Sequence, residues 1–342
     1  MKIKIYSDID KIKDVPSWGY VFPLLELLQD ETSDLYQFYE FTTIETCDFI
    51  ALPVTVDYLL KNNAQYAKVI FEKSDVYKKK MLVFSASDIG KTINHPNFIT
   101  IRLGGFNSKF KHTTYIMPPF IDDPYILLNK KISFLSKEEK ASIGFVGHSN
   151  GSFIKLIKEF LIYLKFNINR MLKKNYFDYQ PFYPSSYYRY RYLKIIENNK
   201  SILSNFIYRK KYRAGITSKG DRLRTTIEFY QNVFDNPYTF CMRGTGNFSV
   251  RLYETLAMGR IPVVINTDCK FPFDELINWD NHCLIIEEEN VRFIGEILNQ
   301  FHAKFTDSEF VALQKANRKL WEDYFKKDSF FIRLCQELLK NK

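Results

Sequence analysis

No stretch of this sequence reaches 18 consecutive apolar residues, the length a membrane-crossing helix needs. Cysteine is sparse: Cys47, Cys241, Cys269, Cys283 and Cys335 are an odd, scattered five, and no two have metal-ligand spacing. That excludes a disulfide framework and a zinc ribbon, and the expectation is reduced, mostly buried thiols in a cytosolic protein. The opening segment MKIKIYSDIDKIKDV carries charge throughout and has no signal-peptide core, so a cytoplasmic chain is expected. Zinc-finger, KH and RNP patterns are missing, which removes nucleic acid from the expected partners. No cofactor motif is read.

Aromatic residues and positive charge, by contrast, are abundant. Aromatics make up 17% of the 342 residues, and 49 Lys and Arg against 39 Asp and Glu leave a net charge of +10. An apolar fraction of 46% is enough for real cores. The charge favours an anionic partner: a nucleotide, a polyanion or an acidic membrane surface.

Apolar strand-like runs recur through the first half. They are residues 3–6, CDFIALPV (47–54), MLVFSASDIG (81–90), NFITIRL (97–103) and TTYIMPPF (113–120), with helical stretches at 22–29 and 56–62. Alternating strands and helices predict a parallel α/β sheet. Residues 1–125 are read as one Rossmann-like domain and 126–141 as a linker; Asp122 and Asp123, just before the linker, are read as solvating a turn. Residues 142–306 form a second α/β domain opening on SIGFVGHSNGS, and 307–342 form closing helices. Within the second domain, residues 160–215 mix Tyr, Phe, Lys and Arg. They read as a helical insertion whose charges, among them Arg189, Arg191, Lys194, Arg209, Lys210 and Lys211, are either solvated or turned to a membrane or a long acceptor.

The densest chemistry lies in TFCMRGTGNFSVRLYETLAMGRIPVVIN (239–266). It reads as strand, glycine turn, helix and strand. The helix starts near Asn247 or Ser249, both good N-caps, and ends at Gly259. Leu252, Leu256, Tyr253, Ala257 and Val250 share an apolar arc, while Arg251, Glu254, Thr255 and Met258 fall opposite. Arg251 and Glu254 are therefore either a surface ion pair or functional. A glycine turn leading into a helix offers backbone N–H groups to an anion. With Arg243 and Arg251 alongside, the expected ligand is a diphosphate held by Arg243, Gly244, Thr245, Gly246, Asn247, Phe248, Ser249 and Arg251. Glu254 would bind sugar hydroxyls, and His148 would lie near the phosphates.

These residues resemble the exostosin-like glycosyltransferases of family 47. The resemblance rests on the phenylalanine-cysteine strand, the glycine turn, Ser249-Val250-Arg251-Leu252-Tyr253-Glu254, the Ile261-Pro262-Val263 strand and KFPFDEL (270–276). It extends more weakly through 42–54, 81–90 and 113–119. Two positions depart from the family pattern: Lys79-Lys80 stand where an Asp-His pair is usual, and Ser87 stands where a His precedes the family's Asp. The resemblance implies a GT-B fold, two Rossmann-like domains facing across a cleft with the C-terminal helices packing back on the first. It also implies a nucleotide-sugar donor, UDP favoured, in the second domain, and inversion at the anomeric carbon. The acceptor would be a glycan or lipid-linked chain in surface polysaccharide synthesis, with peripheral contact at an anionic inner membrane surface.

An inverting transfer needs a base from the first domain, and Asp88, at the end of a strand, is the first choice; Asp8 and His95 are lesser candidates. Arg251 is expected to stabilise the leaving group. The donor half has no Asp-x-Asp spacing, which fits a metal-independent enzyme. The alternatives are a catalytically silent partner subunit and a nucleotide- or polyanion-binding module.

Overall fold

The computed structural model describes residues 2–210, 215 and 219–340, so Lys211 and the rest of 211–214 and 216–218 lie outside the described residues. The first sheet contains β1 (Ile3–Tyr6), β2 (Tyr39–Phe41), β3 (Phe49–Ala51), β4 (Lys80–Ser85), β5 (Phe98–Arg102) and β6 (Thr114–Ile116). All its pairings are parallel, in the order β2-β1-β3-β4-β5-β6. From Met81 to Ser85 every residue of β4 is buried, as a central parallel strand covered on both faces must be. The helices between are α1 (Pro23–Leu27), α2 (Val56–Asn62) and α3 (Ala64–Val76). Side chains of Thr55 and Asn63 cap the last two, accepting from Tyr58 N and Tyr66 N at 3.4 and 3.1 Å.

After α4 (Pro124–Leu128) the chain runs extended into the second sheet. Its strands are β7 (Ser142–His148), β8 (Leu203–Arg209), β9 (Tyr238–Cys241), β10 (Ile261–Asn266) and β11 (Leu284–Glu287), again all parallel, in the order β11-β10-β9-β7-β8. Around it lie α5 (Phe153–Met171), α6 (Ser185–Glu197), α7 (Lys219–Asp235), α8 (Val250–Ala257) and α9 (Ile294–Ala303). The stretch expected as one helical insertion, 160–215, thus resolves into most of α5, a loop, α6 and an integral strand. β8 pairs with β7 along its whole length, from Ser142 opposite Leu203 to His148 opposite Arg209. Phe206 and Tyr208, two apart, pack on the second core. The charges around them mask that alternation.

α10 (Asp307–Leu320) packs on the second domain; a π-turn (Trp321–Phe325) then leads to α11 (Lys327–Lys340), which returns to the first. Phe330, Phe331, Leu334 and Leu338 are buried with Ile3, Phe22 and Leu24 of the first domain. Tyr39 Oη donates to Phe331 O at 2.6 Å, and Lys327 pairs with Glu26 at 2.7 Å. The same core takes in Leu252, Tyr253 and Leu256 of α8, so apolar packing is continuous between the two domains. This is the expected GT-B architecture with its C-terminal crossover. Asp123, expected in a solvated turn, is instead a staple: it caps α4 through Tyr125 N at 3.1 Å and takes a two-pronged contact from Arg318 of α10.

Candidate active site

The glycine turn sits where the two domains touch. A Cβ on Gly246 would lie 2.0 Å from the Asp88 carbonyl oxygen, and one on Gly104 would lie 2.7 Å from Phe248 Cβ, so bare backbone is what allows this approach. At Gly244 a Cβ would meet nothing within 4 Å, and that residue opens toward the cleft. Ser249 occupies the N-cap of α8 but makes no capping bond with its side chain. Asn247 is turned away to bind the seam. Its Nδ2 donates to Gly105 O, Thr267 O and Asp268 O at 3.2, 2.8 and 3.1 Å, and its Oδ1 accepts from Thr267 Oγ1 at 2.6 Å. With its amide engaged in this way, Asn247 holds the two domains in register, and only its backbone is left for a ligand. Gly259 closes α8 in the left-handed region at φ 62°, as a C′ glycine does.

Three arginines gather at the C-terminal ends of the neighbouring strands. Arg243, 2% exposed, donates to Gln180 Oε1 at 3.0 Å and Thr245 O at 3.3 Å, and lies between the rings of Phe106 and Tyr183. Arg189, 9% exposed, donates to His148 O at 2.7 Å and Arg243 O at 2.8 Å. Arg251 reaches Val146 O at 2.9 Å over the Phe145 ring, and a Cβ on Gly147 would lie 2.9 Å from its guanidinium. Among the described residues none of the three has a carboxylate partner, and each keeps a buried Nε without a hydrogen bond. The Ser149 hydroxyl beside them is likewise buried and unbonded. Burial lowers the pKa of all three, Arg189 to about 9 with Arg251 adding repulsion. Glu159, Glu288 and Glu254 act on Arg189, Arg243 and Arg251 only from beyond ion-pairing distance, so the three closely packed guanidinium groups form an electropositive recess.

Arg189, expected among the surface charges of the insertion, is corrected by the structure. It shares one face of α6 with Ser186, Leu193 and Ile196, all buried. That i−3, i+4, i+7 spacing is visible in SSYYRYRYLKII and is the signal that marks it. Gln180 and Tyr183, in the loop before α6, carry no such signal.

The ion-pair alternative for Arg251 and Glu254 does not hold: no salt bridge joins them. The side of α8 opposite its apolar arc is covered as well, Thr255 and Met258 being fully buried, because α7 lies over it. Arg251 lies over Phe229 of α7, and Glu254 accepts from Tyr230 Oη at 3.4 Å. Burial raises the Glu254 pKa to about 7, with Arg251 and Tyr230 opposing.

Of the candidate bases, Asp88 lies where the first domain meets the turn. It is exposed, its side chain has no partner among the described residues, and partial desolvation raises its pKa. Asp8 accepts from Tyr6 Oη and, at 2.8 Å, from Tyr66 Oη. His95 precedes β5, at the strands' N-terminal ends, and pairs with Asp75 at 3.3 Å; strand polarity places it away from the cleft. His148, expected in the glycine turn after the strand, is the last residue of β7 and lies beside Lys155. Burial, then Lys155 and Arg189, lower its pKa to about 4, so at neutral pH it is uncharged. The chain's Asp-x-Asp spacing, Asp8-Ile9-Asp10, splits between those two tyrosines and an exposed pair of Asp10 with Lys13. Among the described residues no cluster of three or more His, Cys, Asp or Glu could hold a metal.

Residues 192–301 match the model of the exostosin GT47 domain. Exostosin-1 of Bos taurus is 26% identical over 145 residues, 41% of this chain and 19% of that protein. A probable glucuronoxylan glucuronosyltransferase of Arabidopsis thaliana is 28% identical over 139 residues, 39% of this chain and 28% of that protein. The matched stretch therefore spans less than a third of these curated relatives. Among solved structures, a glycosyltransferase from Rickettsia africae aligns over the whole of both chains at 11% identity with a TM-score of 0.40, too distant to bear on function.

Proposed function

We propose that this chain, similar over residues 192–301 to the exostosin GT47 domain, is a glycosyltransferase that transfers a sugar from a nucleotide-sugar, UDP-linked in first preference, with inversion and without a metal. One observation carries the reading: Arg189, Arg243 and Arg251 are packed together with unbonded Nε groups and no carboxylate partner among the described residues. A diphosphate supplies the missing counter-charge. Its negative charge grows as the sugar leaves, so fixed guanidinium groups stabilise the transition state more than the ground state. Open backbone at Gly244 and Thr245 faces the same cleft. Asp88, opposite the turn, is placed to take the proton of an acceptor hydroxyl, and its raised pKa suits a base.

The acceptor in this reading is a glycan or lipid-linked chain of a surface polysaccharide, met by a cytoplasmic protein at the inner membrane surface. Glu254, which accepts from Tyr230 Oη at 3.4 Å, is the residue this reading assigns to the ribose hydroxyls.

Thermal melting with UDP, GDP, CMP and dTDP, each with and without Mg²⁺, tests the donor reading. A ligand at about 100 times its Kd stabilises by roughly 2.7 kcal/mol. Stabilisation by UDP without Mg²⁺ supports it; no shift with any nucleotide sinks it, and a shift only with Mg²⁺ sinks its metal-free part. A catalytically silent partner subunit is the second reading, favoured by Ser87 and Lys79-Lys80 at the two departures from the family pattern. In the structure Ser87 Oγ accepts from Gly90 N at 2.8 Å and Lys79 Nζ donates to Cys47 O at 2.7 Å, both bonds within the first domain. Nucleotide binding without donor turnover selects that reading.

A further inference from the structure

Helix α5 is amphipathic with its polarity reversed. At 100° per residue, Phe153, Ile157, Leu161, Leu164, Ile168 and Met171 fall within an arc of about 80°. All six are exposed, from 40% at Leu164 to 77% at Met171. Lys155, Glu159, Tyr163, Phe166 and Arg170 occupy the opposite arc and face the protein. Lys155 contacts His148, Glu159 accepts from Ser186 Oγ at 3.1 Å, Tyr163 bonds the Tyr179 hydroxyl at 3.1 Å, and Phe166 stacks on Phe177. No residue of this 19-residue helix is buried. A soluble surface helix turns its apolar stripe to the core; here the stripe is turned to solvent, and charged and aromatic side chains of the opposite arc hold the helix to the domain. An exposed apolar strip of this length marks an interaction surface.

We propose that this face of α5 lies in the plane of an anionic bilayer surface and seats the second domain on it. Charge selects this occupant. Lys158 and Lys165 border the stripe, and Lys173 and Lys174 follow the helix; all four are exposed. Glu159 is the only carboxylate of α5, and it is turned inward. Apolar side chains sunk between acyl chains with lysines at headgroup level is the arrangement of an interfacial helix. Two copies packed through this face would set Lys158 and Lys165 against themselves with no acid on α5 to answer them. Among the described residues no helix is long and apolar enough to cross a membrane, so α5 lies on the surface. Only Ser149–Ser152 separate the recess from the first turn of α5, which brings a membrane-held acceptor beside the donor.

The proposal deepens the inner-membrane contact in the proposed function and names its surface; it does not depend on glycosyl transfer. The test is flotation of the full chain with phosphatidylcholine vesicles, with and without 30% phosphatidylglycerol. The expected result is flotation with anionic vesicles and a drop of roughly tenfold or more in high salt or on neutral lipid. The double substitution Leu161→Glu, Ile168→Glu removes flotation, while melting temperature and nucleotide stabilisation stay at wild-type values. Lys158→Glu with Lys165→Glu lowers flotation without touching the stripe. If the wild-type chain does not float, the membrane contact and the α5 surface fail together. If it floats and the Leu161, Ile168 variant floats equally, the membrane contact stands and α5 is the wrong surface. A concentration-dependent dimer in sedimentation that the same variant dissolves, without flotation, overturns the proposal in favour of a second copy.

Discussion

Arg243 carries a buried charge with no carboxylate within ion-pairing distance, Glu288 acting on it only from farther away. Replacing a buried, unpaired charge by an apolar side chain of similar length is often neutral or stabilising. Arg243→Met is therefore expected to melt at or above the wild-type temperature and to lose the nucleotide-dependent shift altogether. A guanidinium kept only to hold Gln180 and Thr245 would give the reverse, a lower melting temperature with the nucleotide shift intact. Glu254 and His148 set opposite pH dependences. The Glu254 pKa rises from its ordinary 4.5 to about 7, so its protonated form is favoured by folding. The stability it contributes is present below about pH 4.5 and lost as pH rises through 7, on the order of 1–3 kcal/mol. Glu254→Gln should gain on wild type between pH 5 and pH 8, measured by urea unfolding at each pH. For His148, depressed from 6.5 to about 4, stability is present above 6.5 and lost as pH falls toward 4, a slope that His148→Gln should flatten.

Among the elements, the glycine turn and α8 make the sharpest claim. Gly246→Ala would push a Cβ onto the Asp88 carbonyl, so it should lower the melting temperature and cut donor turnover at least tenfold. Gly244→Ala meets open space and should melt as wild type. Equal melting of the two variants would mean the turn is not wedged between the domains. How well the sequence foretells these elements follows from what each pattern encodes. Leu252 and Leu256 declare the core face of α8, and Gly259 declares its end, because periodicity and a positive φ are local properties. That α7 covers the opposite side of α8 is tertiary, and no spacing within α8 carries it. β8 is hidden for another reason: Phe206 and Tyr208 alternate correctly, but the basic residues around them read as helix surface. Asp178, in the loop before α6, has no sequence signal, yet it crosses to the first domain. There it pairs with the buried Arg102 at 2.9 Å and accepts from Thr92 N at 3.1 Å. Asp178→Asn leaves Arg102 without its counter-charge and is expected to cost about 1–3 kcal/mol by urea unfolding, less than a fully buried pair because Asp178 keeps some solvent contact.

At the scale of the whole molecule, the first domain is not a self-contained unit. Its core is completed by α11, which lies at the far end of the chain from β1. Phe331→Ala should cost about 3–5 kcal/mol. The loss should appear as one cooperative unfolding step by calorimetry, since the core runs through α8 into the second domain. Two separated transitions, with only the later one shifted, would show that the halves melt independently.

The backbone passes from one domain to the other twice, once near Asp123 and once near Lys326, and Arg318 staples the passages side by side. A cavity of about 450 Å³ lined by Asp122, Asp123, Tyr230, Lys326 and Lys327 lies between them. The two neighbouring passages define a line, and a turn of one domain on the other about it has to part the apolar packing that runs from α8 into the first core. In the proposed reaction, admitting a donor and discharging a spent nucleotide would be that turn in opposite senses, with Asp178–Arg102 and Asn247–Gly105 as its latches. Loosening a latch should quicken product escape while slackening the grip on substrate, so the Asp178→Asn variant would raise KM and kcat together wherever release sets the pace.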